Sequence, residues 1–284
     1  MKDIDNEQLK RIEINLLKVF IQCCETLSLK YYVMGGTMLG AIRHNGFIPW
    51  DDDIDVGMMR SDYEVFLEKA PSLMPSYCFL QSISTEKEYL NIYAKLRDSR
   101  TTFIETKVKD RNINHGVYID IFPLDYYPTR KLNQLYIDSC HKLLYLRIWS
   151  NSGRQNSFKH SVVDSLKIRI LKYILAAKYE TTRDAVLAKD KLCRSVNKSR
   201  LIANYGGAWG KKEIVPAEWY GDGVKGCFEG ITVTLPAEYE KWLTQVYGNY
   251  MELPPVEKRV SHHNTDIIDL DRSYLDYLNI KRTH

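Results

Sequence analysis

Residues 35–57 read GGTMLGAIRHNGFIPWDDDIDVG, and the acids near the end of this stretch predict the fold around them. Asp53 and Asp55 alternate with Ile54 and Val56, which is the period of a β-strand with one buried face. Both carboxylates are therefore predicted to project from the same face of one strand. Two carboxylates side by side repel each other, and a bound divalent cation would remove that repulsion. The pattern thus predicts a strand that carries a metal site.

A glycine turn precedes these acids. Residues 31–34 are a short apolar run and predict a strand that ends at Gly35 and Gly36. Residues 37–43 then predict a short helix, so the backbone N–H groups of Gly36 and Thr37 would lie at a helix N-terminus, where they can contact phosphate. A plain strand-to-helix turn uses the same residue types. Phosphate binding is favoured here because the acids follow.

A third acid, Asp120, lies inside the apolar run 117–122. If this run is a strand beside the one that carries Asp53 and Asp55, the three carboxylates form one cluster. Mg²⁺, or Mn²⁺ in its place, prefers oxygen ligands and is usually held by a few carboxylates plus substrate phosphates. Such ions can clamp the attacking and leaving oxygens of a phosphoryl transfer. The three acids are therefore predicted to be catalytic and to bind metal, with Asp120 either a ligand or the base.

Two other kinds of local structure could account for the same run of acids. A solvated acidic turn would account for the run of acids, but it leaves the alternation with Ile54 and Val56 unexplained. A calcium-binding loop that begins at Asp51 needs Gly at its sixth position and Glu at its twelfth. This chain has Val56 and Asp62 there. The calcium loop is excluded, and the metal site on a strand is favoured over the turn.

Several cationic side chains could bind the phosphates of a substrate. In chain order these are Arg43, Lys95, Arg97, Arg259, His262 and His263. Lys95 and Arg97 are two positions apart on a predicted strand and would share a face, although a surface strand with a basic face has the same pattern. Arg43 is either a substrate contact or a partner of the helix dipole. The C-terminal arginine and histidines could contact phosphate or transfer a proton, and a structural histidine pair is the alternative.

The rest of the chain predicts an α+β fold with a mixed sheet and flanking helices. Further strands are predicted at residues 53–58, 77–80, 92–96 and 101–105, and helices at 12–27, 61–69, 132–149, 162–178, 182–196 and 237–247. A capping box is predicted at Ser61. We expect residues 1–128 to form a catalytic core, 129–204 a helical insert or second lobe, and 205–284 a C-terminal segment that completes the active site.

The composition of the chain argues against several other classes of function. The 284 residues are 44% hydrophobic and 27% charged, with a formal net charge of +4, and no dense Lys/Arg stripe predicts nucleic-acid binding. The six cysteines form no Cys-x-x-Cys pair and no secretory signal is visible, so we expect buried free thiols and a cytoplasmic protein. Residues 166–173 are basic and apolar, which predicts either peripheral contact with the inner face of a membrane or an ordinary core helix.

Residues 35–57, taken as a whole, resemble the signature of the LicD family, part of the nucleotidyltransferase-fold superfamily with fukutin-type proteins as distant relatives. The resemblance continues through residues 93–102 and 115–125, and it reappears at 247–251, 254–255 and 259–263. It implies that Asp53, Asp55 and Asp120 are the metal-binding acids of that superfamily. It also implies that Gly36 and Thr37 are its phosphate-contacting turn.

The resemblance also implies a reaction. In this family phosphocholine, or a related substituted phosphate, passes from a CDP-linked donor, typically CDP-choline, to a hydroxyl of a glycan precursor, and CMP is released. The acceptor belongs to a lipopolysaccharide, teichoic acid or capsule, and it can be lipid-linked. Choline would call for an aromatic box. Two alternatives stay open: a nucleotidyltransferase that moves NMP from NTP, and a non-catalytic module that binds metal or glycan.

Overall fold

The computed structural model describes residues 6–150, 178–259 and 264–282. Within these residues lie seven α-helices: α1 Asn6–Leu27, α2 Gly35–His44, α3 Arg60–Lys69, α4 Lys131–Ser150, α5 Thr182–Cys193, α6 Tyr239–Tyr247 and α7 Tyr274–Arg282. The strands are β1 Tyr32–Val33, β2 Asp55–Met59, β3 Cys78–Gln81, β4 Ala94–Asp98, β5 Thr102–Glu105, β6 Val117–Tyr127, β7 Leu201–Ala203, β8 Ile214–Pro216, β9 Val224–Phe228, β10 Ile231–Leu235 and β11 Thr265–Asp269. The predicted α+β class is confirmed.

The central sheet is mixed and has the strand order β1-β2-β6-β4-β3. Strand β2 runs parallel to β6, whereas β4 runs antiparallel to it. The far end of β6 pairs with β7, which in turn pairs with β8. Two further antiparallel pairs, β9 with β10 and β5 with β11, lie outside this sheet. The strand that carries Asp55 and the strand that carries Asp120 are therefore neighbours, as the predicted cluster requires.

Helix α1 supplies much of the core that supports the sheet. Its apolar residues recur at helical spacing, and Leu16, Leu17 and Phe20 are buried in the main core cluster. The Phe20 ring lies 5.0 Å from that of Phe66 on α3, centroid to centroid. Each fully buried side chain of this size contributes about 1.5–3 kcal/mol. This packing holds the sheet rigid beneath the acids.

The helical pair formed by α4 and α5 is tied to the sheet by a buried ion-pair network. Arg60, the first residue of α3, donates to both carboxylate oxygens of Asp125 on β6, at 2.8 and 2.6 Å. The same guanidinium contacts Asp190 of α5 at 3.1 Å. Arg194 also pairs with Asp190, at 2.7 Å. Three elements far apart in sequence are thus joined through Arg60.

Some details differ from the predictions. The capping box at Ser61 is wrong, because α3 begins at Arg60 and has no side-chain cap at its N-terminus. Asp53 lies in the irregular segment before β2 rather than on the strand, which begins at Asp55. The predicted helix at 162–178, apart from its last residue, and the segment 166–173 lie outside the described residues. Among the described helices, none combines the length and apolarity that a membrane span requires.

Candidate active site

A row of three charged side chains crosses the middle of the sheet. The register sets Asp55 of β2 opposite Asp120 of β6, and Asp120 opposite Lys95 of β4. Lys95 Nζ lies 2.7 Å from Asp120 Oδ1. Two acids and one lysine are thus held side by side by backbone pairing, without any need for flexible loops.

The glycine turn packs directly against the acids. Helix α2 begins at Gly35, whose φ is +51°, and the hydroxyl of Thr37 accepts the N–H of Asp55 at 2.8 Å. A Cβ added to Gly35 would lie 3.0 Å from Asp55 Oδ2, and one added to Gly36 would collide with the Asp51 carboxylate. A phosphate at this helix N-terminus would therefore meet two carboxylates. A cation between them would make that approach favourable.

Charge and burial raise the pKa values of both acids in the row. The pKa of Asp55 is raised well above its usual value by burial, followed by the nearby charges of Asp53 and Asp120. Burial also raises the pKa of Asp120, although the Lys95 ammonium opposes that effect. The buried Oδ1 of Asp55 has no hydrogen-bond partner among the described residues. An unsatisfied carboxylate oxygen beside further negative charge is what a divalent cation would stabilise.

The residues fit a metal that is completed by its substrate. Within the described residues, no three carboxylate, imidazole or thiol groups are placed to hold an ion by themselves. Mg²⁺ in phosphoryl-transfer sites usually takes one or two protein carboxylates and fills its other positions with water and substrate phosphates. Asp55 and Asp120 on adjacent strands, with Asp53 just before β2, fit that kind of partial site.

A cleft of about 830 Å³ opens in front of these acids. Its acidic floor includes Asp51, Asp53 and Asp55, beside Gly36 of the turn. Its other walls contain aromatic and cationic side chains, namely Arg43, Trp50, Trp209, Tyr247, Tyr250 and Lys258. An acidic floor with aromatic and cationic walls is suited to a ligand that carries phosphate, a metal ion and a further cationic or ring-shaped group.

One of the predicted arginines, Arg43, lines this cleft, and another, Arg259, contacts the lining residues Trp50 and Pro254. Arg43 lines it and donates to the carbonyl of Tyr250 at 2.9 Å. The Arg259 guanidinium lies 5.3 Å from the ring centroid of Trp50, and its Nε donates to the Pro254 carbonyl at 2.9 Å. Both side chains therefore connect the helix α2 side of the cleft to the C-terminal segment. His262 and His263 lie outside the described residues.

Lys95 and Arg97 share a face, as predicted, but they have different surroundings. Both contact the ring of Tyr118, with Lys95 Nζ 3.3 Å and the Arg97 guanidinium 4.7 Å from its centroid. Arg97 is only 1% exposed; it donates to Gln81 Oε1 at 2.6 Å and to the Gly116 carbonyl. The structure brings Lys95 to the acids and places Arg97 in a buried hydrogen-bond network away from the cleft. The alternative of a basic surface strand is wrong, because β4 is buried.

Sequence reasoning missed two buried acids near the site. Glu13 lies on α1, and burial, together with the charges of Asp53 and Asp52, raises its pKa well above the usual value. The sequence feature that could have revealed Glu13 is its position on the apolar face of an amphipathic helix, four positions after Leu9. Glu213 accepts the backbone N–H of Trp209 at 2.9 Å and so positions a wall of the cleft. It ends a single turn of 3-10 helix, Gly210–Glu213, which is too short to give a periodic signal.

Comparison with known proteins gives consistent similarities. A family model described as LicD/FKTN/FKRP, nucleotidyltransferase domain, matches residues 28–171. The lipopolysaccharide cholinephosphotransferase LicD of Haemophilus influenzae is 30% identical over 264 residues, which cover 93% of this chain and 97% of that protein. The ribitol 5-phosphate transferase FKRP of Homo sapiens is 45% identical over 38 residues, or 13% of this chain and 8% of FKRP. A Rickettsia prowazekii protein, RP689, is 31% identical over 135 residues, or 44% of this chain and 47% of RP689.

Proposed function

Because the chain belongs to the LicD/FKTN/FKRP family and is a phosphotransferase, we propose that it transfers phosphocholine, or a related substituted phosphate, from a CDP-linked donor to a glycan hydroxyl, with release of CMP. The observation that carries the proposal is the row of Asp55, Asp120 and Lys95 behind the floor of an aromatic cleft. The two relatives whose names state an activity transfer phosphocholine and ribitol 5-phosphate, and both groups are substituted phosphates.

In this proposal Asp55 and Asp120, with Asp53 beside them, hold Mg²⁺ or Mn²⁺. The bound ion would neutralise phosphate oxygens and the charge that develops on the leaving nucleotide. Lys95 keeps Asp120 ionised and oriented through its 2.7 Å contact. Asp53 and Asp55 line the cleft, whereas Asp120 is not among its lining residues. Because an acid away from the cleft is poorly placed to reach the acceptor hydroxyl, this placement favours the ligand role of Asp120 over its role as the base.

The aromatic wall supports a donor with a cationic head group. A quaternary ammonium binds well over the faces of Trp and Tyr rings. Trp50 and Trp209 each already lie near a cation: the Arg259 guanidinium is 5.3 Å from the Trp50 ring centroid, and Lys212 Nζ is 5.4 Å from a Trp209 ring centroid. Trp209 is 44% exposed, and its ring meets Tyr247 edge-on at 5.0 Å. Because Trp209 is exposed whereas Trp50 is half-buried, we assign the choline position to Trp209, where choline would take the place of Lys212, with the donor diphosphate between Arg43, Lys258 and the metal.

The acceptor in this proposal is a precursor of a lipopolysaccharide, teichoic acid or capsule, and it can be lipid-linked. A nucleotide donor places the reaction on the cytoplasmic side, at the inner face of the membrane. The nearest alternative activity is NMP transfer from an NTP, because the same acids bind the metal in both reactions. The released product separates the two: CMP from a CDP-linked donor supports the proposal, and diphosphate from CTP supports the alternative.

The test is a donor screen. CDP-choline, CDP-ethanolamine, CDP-glycerol, CDP-ribitol and CTP would each be incubated with the protein, Mg²⁺ and a glycan acceptor, and CMP and diphosphate would be quantified. We expect CMP release with CDP-choline and its loss in Asp53→Asn and Asp120→Asn. Asp222→Asn is the matched control, because Asp222 is an exposed acid that pairs with Lys30 at the surface. Diphosphate release from CTP alone, or full activity in Asp120→Asn, would contradict the proposal.

A further inference from the structure

A second cleft, of about 760 Å³, lies at the opposite end of β6 from Asp120. It opens where the chain leaves β6 at Pro128 and enters α4, and the segment between α5 and β7 forms its other side. Its cationic residues are Arg130, Lys198 and Arg200, all exposed, and we call this feature the basic cleft. The proposed reaction uses none of these residues.

The charge of the basic cleft is uncompensated. Its lining contains three cations and, among the residues that the structure describes, no carboxylate. Nearby cations behave differently: Lys211 pairs with Asp138, and Arg194 pairs with Glu64 and Asp190. Three neighbouring unneutralised cations repel one another, and an anionic surface would relieve that repulsion.

An apolar ridge stands beside this cleft on the first turns of α4. Leu132, Leu135 and Tyr136 have the i, i+3, i+4 spacing of one helix face and are 79%, 55% and 65% exposed. Tyr136 also lines the basic cleft, so the ridge and the cleft form one continuous surface. The opposite face of α4 already packs into the protein through Ile137 and Leu144. The ridge is thus apolar surface beyond what the packing of this helix needs.

We propose that the basic cleft and the apolar ridge together form a docking surface for an anionic lipid membrane. Lysines and arginines gain favourable interaction near anionic lipid headgroups, and leucine and tyrosine side chains insert at the boundary between headgroups and acyl chains. A nucleic acid or a free phosphate would satisfy the cations but leave the leucines in water. A lipid membrane would interact favourably with both the cations of the basic cleft and the leucines of the apolar ridge, and we therefore assign it as the partner.

The position of this surface suits a lipid-linked acceptor, and this step rests on the proposed function. Pro128 follows Asp120 by eight positions along an extended strand, a separation of up to about 26 Å. Docking through the basic cleft would therefore hold the acids away from the lipid by about the length of a short chain of sugars. The enzyme would reach a hydroxyl on the glycan rather than one at the headgroup.

The experiment is co-sedimentation with vesicles of phosphatidylcholine alone or with 30% phosphatidylglycerol, without nucleotide or metal. The cleft variant is Arg130→Ala/Lys198→Ala/Arg200→Ala, and the ridge variant is Leu132→Ser/Leu135→Ser. The control, Lys18→Ala/Lys69→Ala/Lys225→Ala, makes the same change in net charge at exposed positions on α1, α3 and β9. Loss of the three cleft cations should weaken partitioning by on the order of 100-fold. The control should change it much less, and added salt should weaken wild-type binding.

Several outcomes would overturn the proposal. These are no wild-type binding to anionic vesicles, equal loss in the cleft variant and the control, or full binding by the ridge variant. A vesicle-free dimer that dissociates in the ridge variant would show instead that the ridge binds a second copy. Thermal melting checks that each variant folds, and Arg200→Ala alone gives a milder second test. CMP release with a water-soluble acceptor is measured separately, so failure of docking and failure of the proposed reaction are distinguishable.

Discussion

Asp120 and Asp125 lie five positions apart on the same strand, β6, and their surroundings differ in kind. Asp125 receives two hydrogen bonds from the Arg60 guanidinium, at 2.8 and 2.6 Å. Asp120 has one ammonium, from Lys95, at 2.7 Å, and it faces a second carboxylate, Asp55, across the sheet. Negative charge is in excess at Asp120, whereas at Asp125 it is matched by a fork-shaped cation.

The difference separates structural from reactive use of a buried acid. A bidentate arginine fixes a carboxylate in one geometry and stays charged at all relevant pH values. A lysine is a point charge, and it leaves the other lone pairs of the carboxylate available to a metal or a substrate. Asp125 therefore joins α3 and, through Arg60, α5 to the sheet, whereas Asp120 is the acid to which the proposed reaction gives a ligand. The predictions below test this division.

The largest expected effect is on catalysis at the Asp120 end. Asp55→Asn and Asp120→Asn should each lower kcat by on the order of 10³-fold, because each removes a charge that would bind the metal. The fold should persist in Asp55→Asn, since one of two repelling carboxylates is lost, whereas Asp120→Asn also removes the partner of the buried Lys95 ammonium and should be less stable. CMP release and urea unfolding would be measured on the same samples. If Asp55→Asn kept near-normal turnover, the assignment of this row as the reactive end would fail.

The second effect is on stability at the Asp125 end. Arg60→Met leaves Asp125 buried without its bidentate partner and should lower the free energy of unfolding by about 3 kcal/mol. Urea denaturation measures this loss, and kcat per folded molecule should change little. The double variant Arg60→Met/Asp125→Leu should recover much of the stability, since it removes both charges. A large loss of kcat with unchanged stability would reverse the roles that we assign to the two ends.

The third prediction concerns added metal. Mg²⁺ at a hundred times its dissociation constant should stabilise the wild-type protein by about 2.7 kcal/mol. It should not stabilise Asp55→Asn, but it should still stabilise Arg60→Met. The effect should shrink as pH falls, because protons compete for carboxylates whose pKa values are raised. Thermal melting with and without Mg²⁺ measures it, and equal shifts in wild type and Asp55→Asn would place the ion elsewhere.

The smallest expected effect concerns Glu213, a buried acid outside the row, and the dependence of stability on pH. Glu213 is 3% exposed, and burial raises its pKa to about 7, with hydrogen bonds from the Trp209 N–H and Asn204 opposing the rise. Because the pKa of Glu213 is raised in the folded state, this group makes its full contribution to the free energy of unfolding below pH 4.5. The contribution is lost as pH rises through about 7. The wild-type free energy of unfolding should thus fall by roughly 2 kcal/mol more between pH 5 and pH 8 than that of Glu213→Gln.

Urea denaturation across this pH range measures the difference. Tryptophan fluorescence would report whether Trp209 moves when the carboxylate ionises. Identical slopes in wild type and Glu213→Gln would show that this acid keeps its ordinary pKa in the folded protein.

Much of the fold follows from local patterns in the sequence. The alternation in residues 53–56, the apolar run 117–122 and the helical spacing in 12–27 predicted elements that overlap β2, β6 and α1, although α1 begins six residues earlier and β6 continues five residues further than predicted. The strands after residue 200 were not predicted: they have only three to five residues and lie in a segment rich in Gly, Pro and aromatic residues, although the alternation in residues 231–235, ITVTL, could have revealed β10. The pairing of β2 with β6 could be stated only as a condition, since contacts between distant segments leave no local trace.

The candidate site could also be predicted only in part, because local spacing does not reveal contacts between distant residues. Alternation predicted that Lys95 and Arg97 share a face, but it could not show that Arg97 is covered by Gln81 and Gly116. Asp53 was placed on the strand because its spacing matched, whereas backbone pairing begins only at Asp55. The roles of individual residues depended on burial and on the far ends of side chains, and neither is encoded in spacing.

The ring of Tyr118 makes the state of the Asp120–Lys95 pair observable by nuclear magnetic resonance. Lys95 Nζ lies 3.3 Å from the centre of that ring, so the neighbouring methylene protons fall in the shielding zone of its ring current. A ligand that draws Asp120 toward itself would let Lys95 shift over the ring and would change the chemical shifts of these protons. Nuclear magnetic resonance of labelled lysine could then follow occupancy of the row directly, with no turnover and no acceptor.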